Sequence, residues 1–203
     1  MEIILSSKAP ERVECEAMVL TFFQDERPLK GLSGLADWRL HGFISRAMID
    51  DVVTGRFAEK TLIPSHKWLL APKILCVGMG EAMRYSFSRL QEICTLIFRT
   101  LYRIRVSTFA TSLPGVETLG LDYSNAAECL VNGAAAWAND EGGGKAPFRL
   151  ILLEKKNQFD KILLGLNRGR IRHKKSIELD LYRNDLNFDK FHSLNAGYPA
   201  HFC

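Results

Sequence analysis

The run PKILCVGMG, residues 72–80, constrains this chain more than any other stretch. From Ile74 to Met79 it carries no polar side chain, so it lacks the alternation of a strand with one wet face. Such a run reads as a strand buried on both sides, and that requires covering layers above and below the sheet. EAMVLTFF (16–23) and PFRLILLE (147–154) have the same character. IILS (3–6), KTLIPS (60–65, closed by Pro64) and RVSTFATS (105–112) read as further strands, and SIELDLY (176–182) alternates like a half-exposed one.

Helical spacing fills the intervals. Leu35, Leu40, Phe43, Ile44, Ala47, Met48 and Val52 predict a helix ending near Gly55. Met83, Phe87, Leu90, Cys94, Ile97, Leu101 and Ile104 form a stripe some six turns long. Leu96 and Phe98 lie off that stripe, so this helix is expected to be sandwiched or covered by another subunit. Ser124 is placed to cap a helix carrying Ala127, Leu130, Val131, Ala134 and Ala138. Asn157 starts one through Ile162, Leu163 and Leu166. Strands alternating with helices predict a three-layer α/β/α sandwich around a mixed sheet, with antiparallel pairing among the short edge strands. Residues 1–175 are expected as one domain and 176–203 as a C-terminal extension.

Composition narrows the function classes. With 47% hydrophobic and 25% charged residues in 203, the chain can bury a large core. No run of about 18 apolar residues exists, so no membrane span is expected. The amino-terminal MEIILSSKAPERVE does not read as a signal peptide. Five scattered cysteines (15, 76, 94, 129, 203) suit a reducing, cytoplasmic setting.

A glycine turn between strand and helix is a familiar phosphate cradle, so Gly78, Met79 and Gly80 are a candidate anion-binding turn. The dinucleotide fingerprint is incomplete, because Met83 stands where a third small residue belongs and no acid follows the next strand. Glu81 in the same turn repels an anion. A tight turn without a ligand is the simpler reading. The EGGGK loop (141–145) lacks the Ser or Thr of a phosphate-binding loop, since Ala146 follows. GLSGL around Ser33 lacks the second glycine of a nucleophile elbow. His41, His66, His173, His192 and His201 share no metal-like spacing, and His41 is expected as a partly buried structural residue. Among acids at strand ends only Glu154 qualifies. Asp37 is placed to cap a helix near Trp38, and Asp50 and Asp51 to face solvent. No catalytic residue, metal or cofactor is therefore expected.

The net charge of +4 is mild, and its one dense cluster is NRGRIRHKK (167–175). Arg168, Arg170, Arg172, Lys174 and Lys175 form a candidate basic patch for phosphates or nucleic acid. Cations at the negative end of a helix dipole are the plainer account, since no aromatic residues are interleaved for base stacking.

The order of these elements resembles the N-terminal domain of the leucine (cytosol) aminopeptidase family across roughly residues 14 to 170. Leu32 to Gly34, Asp37, Gly55 to Phe57, Lys60 to Leu62 and Val77 to Gly80 fall at that domain's characteristic places, while Ala58 and Glu59 depart from them. The later strand and KKNQFDKILLGLNRG look like its closing strand and linker helix. The resemblance implies a macro-domain-like fold. In that family the peptidase chemistry belongs to a separate C-terminal domain with two metal ions and the signature NTDAEGR, which this sequence lacks. Relatives use the N-terminal domain in hexamers and, in some bacterial members, in DNA contact. The expectation is a stand-alone, non-catalytic module acting as a homo-oligomer or on a protein partner. The aromatic tail with Tyr182, Phe188, Phe191, Tyr198 and Phe202 adds to it. Nucleotide or ADP-ribose binding and nucleic-acid binding through residues 168–175 are the alternatives.

Overall fold

The computed structural model describes residues 1–140 and 148–183. The EGGGK loop, His192, His201, Cys203 and the aromatic residues beyond Tyr182 lie outside the described residues. The strands are β1 (Glu2–Ser6), β2 (Ala17–Phe22), β3 (Lys60–Pro64), β4 (Lys73–Gly78), β5 (Thr108–Thr111), β6 (Arg149–Leu153) and β7 (Asp180–Arg183). The helices are α1 (Gly31–Arg39), α2 (Phe43–Ile49), α3 (Phe87–Arg103), α4 (Val116–Leu119), α5 (Tyr123–Asp140) and α6 (Phe159–Arg172). One sheet runs in the order β3-β4-β2-β5-β6-β1-β7. Every pairing is parallel except β3 with β4 at one edge. This is the mixed sheet of a three-layer α/β/α sandwich.

The apolar runs explain the layers. Along β2, Ala17 and Val19 face a core shared with α3, α5 and α6, while Met18, Leu20 and Phe22 face a second core under α1 and α2. β4 divides likewise, with Leu75 and Val77 on one side and Ile74 and Cys76 on the other. A strand with helices on both faces has no wet side, so polar residues drop out of it. β4 is interior but stands next to the edge rather than at the centre, with only β3 beyond it. β7 joins the same sheet beside β1, so the sheet continues past the boundary expected at residue 175.

Three helical expectations change. The helix expected from Leu35 to Val52 is two helices, α1 and α2, broken where His41 (φ 55°) and Gly42 (φ 74°) adopt left-handed backbone. Leu35 and Val52 are exposed. The long stripe starts late: Met83 sits 96% exposed in a separate 3₁₀ turn, and α3 begins at Phe87 with the Ser86 hydroxyl accepting from the Arg89 N–H. Phe98 is fully buried inside the chain, packed against Phe109, Trp137 and Phe148, so its place off the stripe reflects a thick internal core. Ser124 does not cap α5. The Asp122 carboxylate does so instead, accepting from the Asn125 N–H (3.0 Å) and the Ser124 hydroxyl (2.5 Å).

Helices α5 and α6 approach closely through Gly165 and Gly169, while Gly133 brings α5 against Cys94 and Thr95 of α3. A Cβ on Gly165 would lie 1.9 Å from the Ser124 carbonyl oxygen, and one on Gly169 would meet Val131 at 2.6 Å. Such contact leaves no room for a methyl group, which is why these helix positions carry the poorest helix former short of proline.

Candidate functional site

All five interior parallel strands point their carboxyl ends at one rim, and in open α/β sheets ligand crevices form there. The Gly78–Gly80 turn lies on that rim, but its donors are engaged. The Gly78 N–H donates to the Glu59 carbonyl (3.0 Å), the Met79 N–H to Phe22 (3.0 Å) and the Gly80 N–H to Gly55 (2.9 Å). The glycines are there because the backbone of residues 55 and 56 crosses the turn: a Cβ on Gly78 would lie 2.1 Å from the Arg56 carbonyl oxygen. Helix α3 starts seven residues beyond Gly80, so its dipole does not point into the turn. The two departures from the family pattern sit in the crossing loop. Ala58 takes a left-handed φ of 64°, and the Glu59 carboxylate accepts from the N–H groups of Thr54 and Gly55.

The rim also holds a cleft of about 480 Å³, lined by Ser7, Lys8, Leu32, Ser112, Glu117 and Glu154 among others. Glu154 follows β6 directly and is 8% exposed. One carboxylate oxygen accepts from the Leu113 N–H at 2.7 Å, tying β6 to the loop after β5. Burial pushes its pKa up to about 7, helped by the nearby Glu117 charge and opposed by the Leu113 hydrogen bond and Lys155. Glu117 itself pairs with Lys155 at 2.9 Å. The cleft is mixed in charge, with lysines at its mouth and a buried acid behind them. Glu154, noted in the sequence as the one acid at a strand end but not as a site residue, thus lines this cleft.

The five basic candidates are all exposed, but they are not gathered on one face. Arg168 and Arg170 project from different sides of α6, Arg172 pairs with Glu128 of α5 (2.5 Å), and Lys174 and Lys175 follow the helix end. His173 donates or accepts at Asn132 (2.9 Å), and burial beside Arg172 lowers its pKa. Among the described residues no three His, Cys, Asp or Glu side chains come together as a metal site requires. The described cysteines are free, and burial raises every one of their thiol pKa values, to about 11 at Cys15 and about 12 at Cys76. No helix among the described residues is long and apolar enough to cross a membrane.

One surface went unseen in the sequence. The α1–α2 corner meets the loop after β3, and there the His41 ring stands edge-on to Trp68 at 5.0 Å. His66 lies 5.9 Å from Trp68 and 6.4 Å from Phe43. His41 is therefore an exposed turn residue rather than a partly buried helical one. Trp38, Trp68 and Leu70 are exposed around it. Left-handed backbone at His41, His66 (φ 50°) and Lys67 (φ 68°) holds these rings in place. Residues with a Cβ adopt that conformation only at a cost of roughly 1–2 kcal/mol each.

Comparison with known proteins identifies the fold and its relatives. The N-terminal domain of the cytosol aminopeptidase family matches residues 19–137, more than half of the chain. A probable cytosol aminopeptidase of Pseudomonas syringae pv. tomato is 24% identical over 135 residues, which are 66% of this chain and 27% of that protein. The present sequence thus spans about a quarter of that relative's length. A tomato leucine aminopeptidase variant superposes with a TM-score of 0.60 at 14% identity, over 80% of this chain and 35% of the other. The Trypanosoma brucei macrodomain in complex with ADP-ribose superposes at 0.63 with 12% identity, over 79% and 67% of the respective chains. At these identities the superpositions establish the fold alone.

Proposed function

We propose, from the premise that this chain belongs to the cytosol aminopeptidase family through that family's N-terminal domain, that it is a non-catalytic module that assembles with itself or with a protein partner. The observation that carries this reading is the aromatic face of His41, Phe43, His66 and Trp68. Phe43 is partly buried against the core beneath α1 and α2, but the exposed rings of His41, His66 and Trp68 are not, and left-handed backbone at His41, His66 and Lys67 opposes folding. A surface kept in that form is better suited to a contact than to solvent. Aromatic side chains are also the residues that anchor protein interfaces. The family's catalytic domain is not part of the matched region, and the described carboxylates are placed as caps and ties rather than as a reactive cluster.

Light scattering coupled to gel filtration tests this. The expected result is a mass above the 22.9 kDa of one chain, falling to one chain when Trp68 and His66 are replaced by Ala. A single-chain mass at the highest attainable concentration, with no partner retained on the intact face, sinks the proposal.

A second reading rests on the rim cleft. Its position at the carboxyl ends of the strands, in a fold shared with a macrodomain crystallised with ADP-ribose, favours a nucleotide-like ligand. The acids Glu117 and Glu154 in its lining weigh against a phosphate there. Calorimetric titration with ADP-ribose decides it, and absence of heat at millimolar ligand removes the reading.

A further inference from the structure

The outer face of α6 carries a pattern that stays exposed among the described residues. Lys161, Leu164, Arg168 and Ile171 follow one another at spacings of three, four and three, so they form one stripe along the helix. All four are exposed, Leu164 at 51% and Ile171 at 76%. The stripe lies on the side of the helix opposite Ile162, Leu166 and Gly169, which are buried. Lys174 and Lys175, just past the helix end, extend its positive character. Three-four spacing is the geometry by which a helix meets another helix along a seam. Here aliphatic and cationic residues alternate along that seam.

The alternation selects the occupant. A second copy would set cation against cation in parallel order, and in antiparallel order would press Lys161 on Ile171 and Arg168 on Leu164, leaving the cations without carboxylates. A lipid surface calls for a broad apolar face with aromatic anchors, and here only two aliphatics stand apart with Arg168 between them. A nucleic-acid backbone would neutralise the cations but leave Leu164 and Ile171 uncovered in water. A helix bearing carboxylates and aliphatics in the same rhythm satisfies both kinds of residue.

We propose that this face of α6 docks an acidic amphipathic helix of a partner protein. The partner's aliphatic side chains pack on Leu164 and Ile171, and its carboxylates pair with Lys161 and Arg168. The surface is separate from the aromatic face, and the proposal stands on different residues. It is tested with the full chain and a labelled synthetic peptide of three heptads, with Leu and Glu at the two seam positions, followed by fluorescence anisotropy. Saturable binding is expected, weakened by added salt. The Arg168→Glu variant, and separately the Leu164→Ala/Ile171→Ala double variant, should each reduce affinity about tenfold or more. Because these side chains are exposed, the variants should melt with the parent chain. Failure of the peptide to bind, or binding unchanged in both variants, overturns the proposal. So does a preference for phosphatidylserine vesicles or duplex DNA over the peptide.

Discussion

Gly165 shows how much a single missing methyl group decides. Its helix position would accept alanine gladly on propensity alone, yet a Cβ there would lie 1.9 Å from a backbone oxygen of Ser124. Gly165→Ala should therefore destabilise the protein by about 2–3 kcal/mol, since a backbone atom cannot step aside as a side chain can. Denaturant unfolding measures it, and a stabilised variant would contradict the close packing of α5 on α6. Glu154 gives the second prediction at this scale. Its folded pKa is raised from 4.5 to about 7, so the folded state holds a proton that the unfolded state has already released. Below the unfolded value both states are protonated and there is no penalty. As pH rises through the window to about 7, stability falls, by about 3 kcal/mol if the full shift is realised. Glu154→Gln should flatten the stability profile over that window. An unchanged profile in the variant would assign the titration elsewhere. Sequence order marked Glu154 as the one acid at a strand end, but its partner Leu113 is 41 residues away and burial cannot be read from a one-dimensional string.

At the scale of elements, α1 and α2 are held at their junction by Asp37. Its buried carboxylate accepts from the N–H groups of Ile44 (2.8 Å) and Ser45 (3.1 Å) and from the Ser45 hydroxyl (2.5 Å). Asp37 was expected as a cap for a helix near Trp38; it lies inside α1 and caps the amino end of α2. The chemistry was legible and the helix it serves was not, because apolar spacing runs on unbroken from Leu40 to Met48 and hides the turn at His41 and Gly42. Asp37→Ala should cost about 2 kcal/mol, a capping interaction plus unsatisfied donors, and Asp37→Asn less. Thermal melts of the two variants give the order, and equal stability of Asp37→Ala and the parent would remove the cap from consideration.

For the whole molecule, the buried thiols offer a measurement of global opening. Cys76 and Cys94 lie in the two different cores, on either side of the sheet. Burial raises both thiol pKa values, so neither carries thiolate at neutral pH. In native protein both should resist a thiol reagent and then react together as denaturant opens the fold. Early reaction of Cys76 alone would mean that the α1–α2 layer lifts off independently of the α3, α5 and α6 layer.

The amino-acid order determined the layered sandwich, because strands with helices on both sides must be apolar without interruption and helices must carry a stripe. Both requirements are local periodicities. It also determined the family likeness, through residues spaced along a single unbroken path. Tertiary structure alone decided what the Gly78–Gly80 turn does. Its three N–H groups are taken by carbonyls of Glu59, Phe22 and Gly55, residues brought to it by the folding of β2 and β3 around β4. Structure likewise decided which aromatic side chains stay in water, since exposure depends on where distant segments stop rather than on any period. A hydrogen-bond donor is free or engaged according to what crosses it in space, and the chain carries no local mark of that crossing.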